Sequence, residues 1–130
     1  MDYEEIIKNM EDATGFYKHN NFHIVDCESN VFSMKADITE DSLNPYGFPH
    51  GGLIFGLGDT AMGMLARRTG TKAVTRSSNI TYLKPAVGEY IIAKAEMIKC
   101  GKRVCFLKAD IYNDKNELVA VMTGDYSFID

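Results

Sequence analysis

Asn44-Pro-Tyr-Gly-Phe-Pro-His-Gly-Gly-Leu-Ile-Phe-Gly-Leu-Gly-Asp-Thr-Ala-Met-Gly-Met-Leu-Ala-Arg-Arg68 is the stretch whose reading decides the fold. It opens as a Pro/Gly-rich loop and from about His50 reads as a helix of four to five turns, apolar or tiny on every side. A helix hydrophobic all round is either a membrane span or a helix buried inside a domain. The run from Gly51 to Ala66 is interrupted near its centre by Asp59 and falls short of the ~20 residues of a span, which favours the buried helix. Asp59 is then the residue to explain.

A carboxylate inside an apolar helix costs several kcal/mol unless it is paired, hydrogen-bonded or neutralised. The neighbours one helical turn from Asp59 are Phe55, Gly56, Met62 and Gly63, none of them a cation. Two readings follow: a structural Asp with a partner from another segment, or a catalytic carboxylate at the bottom of a cleft. Upstream, His50-Gly51-Gly52 stands where loop becomes helix. The first N–H groups of a helix have no internal acceptor, and with the positive end of its dipole they suit an anion or a developing oxyanion. Asn44 lies six residues before His50, and Asp59 nine residues after it.

The pattern Asn44-x5-His50-Gly51-Gly52-x6-Asp59 resembles the active-site motif of the PaaI-like (phenylacetic acid degradation type) acyl-CoA thioesterases of the hotdog-fold superfamily. The run Thr75-Arg-Ser-Ser-Asn-Ile-Thr-Tyr-Leu-Lys-Pro85 is similar to the strand that follows the helix in that family. With length and strand order, the likeness covers most of the chain from about residue 30 onward.

Composition bounds the reading. With 130 residues, 45% hydrophobic and 25% charged, the chain is expected to form one domain over residues 1–130 with a proper core. A net charge of −4, with no basic run longer than Arg67-Arg68 or Lys102-Arg103, argues against a general nucleic-acid binder. The acidic start Met1-Asp-Tyr-Glu-Glu lacks the apolar core of a signal peptide, so the expected location is the cytoplasm, with no membrane association. Cys27, Cys100 and Cys105 form no CxxC or Cys/His cluster and are expected to be reduced core thiols. No metal and no cofactor is expected. His19 and His23, four apart, lack further ligands nearby and are read as surface or linker residues.

Residues 2–14 predict an amphipathic helix with a capping-box-like start at Asp2 and Glu5, ended by Gly15. Alternation over 22–28 and 31–38, with a polar turn at 28–30, predicts a hairpin that delivers the chain to Asn44 through an approach loop at 39–43. Four strand-like runs follow the helix, at about 73–84, 89–100, 103–113 and 118–128. Their separators, Pro85-Ala-Val-Gly88, Gly101-Lys102 and Asn113-Asp-Lys-Asn116, are short and turn-rich, which points to antiparallel neighbours. One strand face carries Ile91, Ala93, Ala95, Met97, Cys105, Leu107, Ala109, Ile111, Leu118, Ala120, Met122 and Gly124, with small residues where a helix would lie close. The fold expected is α+β: a long antiparallel sheet wrapped around the central buried helix, with an N-terminal helix, which is the hotdog arrangement implied by the resemblance.

The resemblance also implies the chemistry. Hydrolysing a thioester needs a donor for the oxygen that becomes negative, and a base or nucleophile for the other side of the carbonyl. Gly51 N–H would polarise the carbonyl, Asn44 and His50 would orient the loop, the thioester or a water, and Asp59 from the other protomer would act as general base or nucleophile. Thr75 falls where a helper hydroxyl is found in the family, with Ser77 or Ser78 as the fallback. Gly52, Phe48, Tyr82 and Leu83 are the candidate substrate-binding residues, and Lys84, Lys102 and Arg103 could meet the phosphates of coenzyme A. Arg67 and Arg68 either balance the helix dipole or touch such a phosphate, the former being the favoured reading. The family's assembly implies a homodimer or a dimer of dimers, with active sites at the protomer interface. The alternatives are an acyl-CoA hydratase or dehydratase and an acyl-CoA-binding regulatory module.

Overall fold

The computed structural model describes residues 3–12, 15–28, 30–69 and 71–129. Helix α1 (Tyr3–Glu11) and a one-turn helix α2 (Phe16–His19) precede a hairpin of β1 (Phe22–Glu28) and β2 (Val31–Asp37). The central helix α3 (Gly51–Ala66) is followed by β3 (Lys72–Tyr82), β4 (Tyr90–Cys100), β5 (Val104–Asn113) and β6 (Leu118–Ile129). The strands make one antiparallel sheet in the order β1-β2-β4-β5-β6-β3, and α3 packs on it, touching every strand from β2 to β6. No helix among the described residues is long and apolar enough to cross a membrane.

The sheet face towards α3 is built from alternate residues, as strand geometry requires. Phe32, Met34, Ala36, Ile91, Ala93, Ala95, Cys105, Leu107, Ala109 and Ile111 are all fully buried. From α3 itself Leu57, Ala61, Met62 and Leu65 close the core. Helix and sheet are in close contact at Gly58, where a methyl group would run into Met122 Sδ and stand 3.2 Å from Ile111 Cδ1. The last six residues of α3 are buried all round, whereas Gly52, Phe55, Gly56, Asp59 and Thr60 keep some exposure. The helix is therefore buried all round only over residues 61–66, and its earlier turns have an open side.

Several expectations need correction. β3 and β4 are not neighbours: β3 pairs with β6, and β4 lies between β2 and β5. The link at 83–89 is thus a crossover. Both sides of β4 are already occupied, and the chain leaves β3 with Leu83 and Lys84 N–H groups still donating to Val119 O, before Pro85 removes the next donor. Leu118 is exposed and Val119 is buried instead, because the β5–β6 register slips by one residue between Ile111 and Tyr112. Helix α1 stops at Glu11, and Gly15 precedes α2 rather than ending α1; Asp2 and residues 13–14 lie outside the described residues. Of the three free thiols only Cys105 belongs to the core, where burial, followed by the neighbouring Cys100, pushes it up to about 12; Cys27 and Cys100 are exposed.

Gly58→Val should lower stability by about 1–3 kcal/mol, the usual cost of forcing atoms into a packed core, measured as a fall in the urea midpoint. An unchanged midpoint would mean that helix and sheet do not meet at this position.

Candidate active site

The residues singled out in the sequence fall into two groups on α3. The first is built by the loop before the helix. Asn44 Oδ1 accepts the N–H groups of Tyr46 (2.9 Å) and Phe48 (3.1 Å), and Asn44 N–H donates to Phe48 O (2.7 Å). This Asx turn passes through Gly47 at φ 83, a conformation that favours glycine. It delivers His50, whose N–H donates to Ser42 O at 2.7 Å. His50 Nδ1 accepts Gly52 N–H at 2.8 Å, so the imidazole is the N-cap of α3. Gly51 N–H has no acceptor among the described residues.

Gly51 opens on a cleft of about 340 Å³ lined also by Asn44, Phe48, Ile54, Tyr82 and Leu83. Tyr82 spans it, donating its hydroxyl to Gly51 O at 2.6 Å, and burial raises the pKa of that hydroxyl. Gly52 departs from expectation. Its N–H is committed to His50, and its side of the helix faces a separate cleft shared with Phe16, Asp41 and Leu43.

The second group surrounds Asp59, which is half-buried. Thr75 Oγ1 donates to Asp59 Oδ1 at 2.7 Å, and Tyr126 OH lies 2.8 Å from the same oxygen and 3.1 Å from Asp59 O. Asp59 has no cationic partner among the described residues. Ser77 and Ser78 do not join it: Ser77 binds Asp125 Oδ1 and Ser78 donates to Thr123 O. Arg67 donates to Ala73 O through Nε and Nη2 and ties the end of α3 to β3, a structural use of that arginine. Lys84 is paired with Glu117 at 2.8 Å, an ion pair that also holds the Glu117 carboxyl below its ordinary pKa.

Tyr126 was not legible as a site residue, although a signal existed. It continues the alternation Ala120, Met122, Gly124 by one more step, which places an aromatic hydroxyl on the face beneath the helix. Tyr126 is 1% exposed, and its pKa lies far above the ordinary tyrosine value. Burial is the main cause, followed by the charge and hydrogen bond of Asp59.

Residues 46–120 match the model of the thioesterase superfamily, a span that takes in Gly51, Asp59 and Thr75. The chain belongs to the thioesterase superfamily. Human acyl-coenzyme A thioesterase 13 is 32% identical over 113 residues, covering 84% of this chain and 81% of that one. The solved PaaI protein of Escherichia coli superposes with a TM-score of 0.91 at 23% identity, over 98% of this chain and 94% of that one. A hypothetical thioesterase protein from Streptococcus pneumoniae, solved with coenzyme A, superposes with a TM-score of 0.78 at 28% identity, over 84% and 86% of the two chains. The chain spans 66% of the length of a relative from Archaeoglobus fulgidus that it also matches. The PaaI-like hotdog fold of this superfamily is therefore the fold of the chain.

In this thioesterase-superfamily member the folded state holds the Tyr126 proton more tightly than the unfolded chain. Its contribution to stability is complete below the unfolded value of 10.0 and is lost as pH rises beyond it. Urea midpoints measured from pH 8 to pH values above 10 should fall more steeply for the native protein than for Tyr126→Phe. Parallel curves would contradict the burial and partners of this hydroxyl.

Proposed function

We propose that this protein hydrolyses acyl-CoA thioesters to a free carboxylic acid and coenzyme A, in sites assembled from two protomers. The observation that carries the proposal is the spacing of the two groups on α3. Gly51 and Asp59 are eight residues apart in the sequence, which is about 12 Å along a helix at 1.5 Å per residue. A carbonyl carbon and its oxygen cannot bridge that gap, so an unpaired N–H and a carboxylate on one helix can meet one thioester only if they come from two copies. The Gly51 N–H of one protomer would take the carbonyl oxygen, and the partner's Asp59 would serve the opposite side.

The chemistry follows from those roles. The N–H at the helix terminus stabilises the charge that develops on oxygen, a contribution of about 3 kcal/mol per donor in enzymes where one has been removed. Asp59 takes the proton of an attacking water, or itself attacks to give an anhydride that water opens; both routes expel the thiolate of coenzyme A and return the same acid. Asn44, with its Oδ1 engaged in the loop, has Nδ2 to offer to the substrate from the rim of the Gly51 cleft. Phe48, Ile54, Tyr82 and Leu83 give that cleft an apolar wall suited to an acyl group.

The relatives' names support the same reaction: the human relative is an acyl-coenzyme A thioesterase, and the S. pneumoniae protein was solved with coenzyme A. Variants of the S. pneumoniae protein carry alanine for an aspartate and, separately, for a threonine sixteen residues later, the same spacing as Asp59 and Thr75.

The test is thiol release from short, medium, long and aryl acyl-CoAs by the native protein and by Asp59→Asn. Release that falls at least about a hundredfold in the variant, with fold and oligomer unchanged, is the expected result. Acyl-CoA binding without thiol release by the native protein would point instead to a hydratase or an acyl-binding module.

A further inference from the structure

Thr75 and Tyr126 are direct partners across the β3–β6 ladder. Side chains of directly opposed residues leave the same face of a sheet about 5 Å apart, so one cross-strand pair brings two hydroxyls to a single point under α3. Both converge on Asp59 Oδ1, at 2.7 and 2.8 Å. A carboxylate oxygen has two lone pairs, and two donors fill them. Asp59 Oδ2 has no donor among the described residues.

We propose that Tyr126 is a positioning residue for the reaction: with Thr75 it fixes Asp59 through Oδ1 and leaves Oδ2 as the oxygen that acts on water or the thioester. The inference rests on the role given to Asp59 above. The ring of Tyr126 alone would satisfy the packing, since it lies in a slot where a methyl group on Gly124 or Gly63 would stand 3.1 or 3.6 Å from it. A phenylalanine would fill that slot without a polar atom to satisfy. The hydroxyl, brought into a buried place, lies within hydrogen-bond distance of Asp59 at Oδ1 and at the main-chain O, with the Thr75 hydroxyl beside it. The shared proton thus links the side chain of Asp59 to its own backbone and restrains the carboxylate's rotation. Burial and the charge of Asp59 hold that proton more tightly than in an ordinary tyrosine, which favours the hydroxyl as donor.

Steady-state kinetics of Tyr126→Phe, Asp59→Asn and the double variant, on the acyl-CoA that the native protein cleaves fastest, test the assignment. Tyr126→Phe should fold, lower kcat by about tenfold, as expected for a lost hydrogen bond to a charged group, and leave KM within about twofold. In the Asp59→Asn background the same substitution should change residual turnover by less than about twofold, because coupled residues are not additive. Native kcat in Tyr126→Phe, or a tenfold loss that persists in the Asn background, would overturn the role of Tyr126. Native turnover in Asp59→Asn alone would instead overturn the proposed function. Should Tyr126→Phe fail to fold, 3-fluorotyrosine in place of Tyr126 keeps ring and hydroxyl while altering donor strength: a changed kcat at constant KM supports the role, and an unchanged kcat opposes it.

Discussion

The close approach of α3 to its own sheet is the constraint on which the rest of the molecule depends. At Gly58 a side chain would have to displace the ends of Met122 and Ile111, and the facing strands answer with Ala93, Ala95, Ala109, Ala120 and Gly124. A helix held this close needs large side chains only at its margins, where Leu57, Met62 and Leu65 fill the angle between helix and curled sheet. Each such side chain, taken from water, is worth about 1.5–3 kcal/mol. The same closeness brings residue 59 within hydrogen-bond reach of two strands.

Asp59 is held by neutral hydroxyls and by no cation among the described residues. The choice has a chemical consequence. An arginine or lysine beside it would neutralise the carboxylate, whereas hydroxyl donors satisfy part of its hydrogen-bonding capacity and leave its charge available. Half-burial is compatible with that arrangement, since the desolvation cost of a partly hydrogen-bonded carboxylate is smaller than that of an isolated one. At the N-terminal end of α3, the capping imidazole of His50 takes Gly52 N–H and leaves Gly51 N–H to face the cleft. The loop chemistry of Asn44 and Gly47 exists to bring the chain into that cap at the correct angle.

Much of this was legible in the sequence, for identifiable reasons. The central helix carried Gly, Ala and Met where no amphipathic surface helix would, and β4 and β5 displayed their inner faces by strict alternation. Asn44, His50, Gly51 and Asp59 were singled out by motif spacing and Thr75 by the family resemblance, and the geometry brings Asp59 and Thr75 together. Non-local features were not legible. A seven-residue link with Pro and Gly resembles a hairpin turn, and only the sheet order shows that β4 had no free side for β3. Val119 replaces Leu118 in the core because of a one-residue slip in register that no periodicity announces. Tyr126 is one step beyond Gly124 on the inner face of β6, and its partner Thr75 is 51 positions away, on a strand that pairs with β6 and not with β4.

The division of α3 into a donor end and a carboxylate centre makes the two-protomer site the central claim, and subunit complementation tests it most directly. Proline is tolerated at the first position of a helix, where it removes the N–H without breaking the turn, so Gly51→Pro deletes the donor, while its Cβ would stand 3.0 Å from the Tyr82 hydroxyl, which must give way slightly. His50, at φ −62 and ψ 138, already has the backbone that a following proline requires. Gly51→Pro and Asp59→Asn are each expected to be inactive alone. Co-expressed, they should regain about a quarter of native acyl-CoA hydrolysis, because half of randomly paired dimers are mixed and each mixed dimer holds one intact site. Mixed oligomers that form but remain inactive would contradict the account and place the whole site within one protomer.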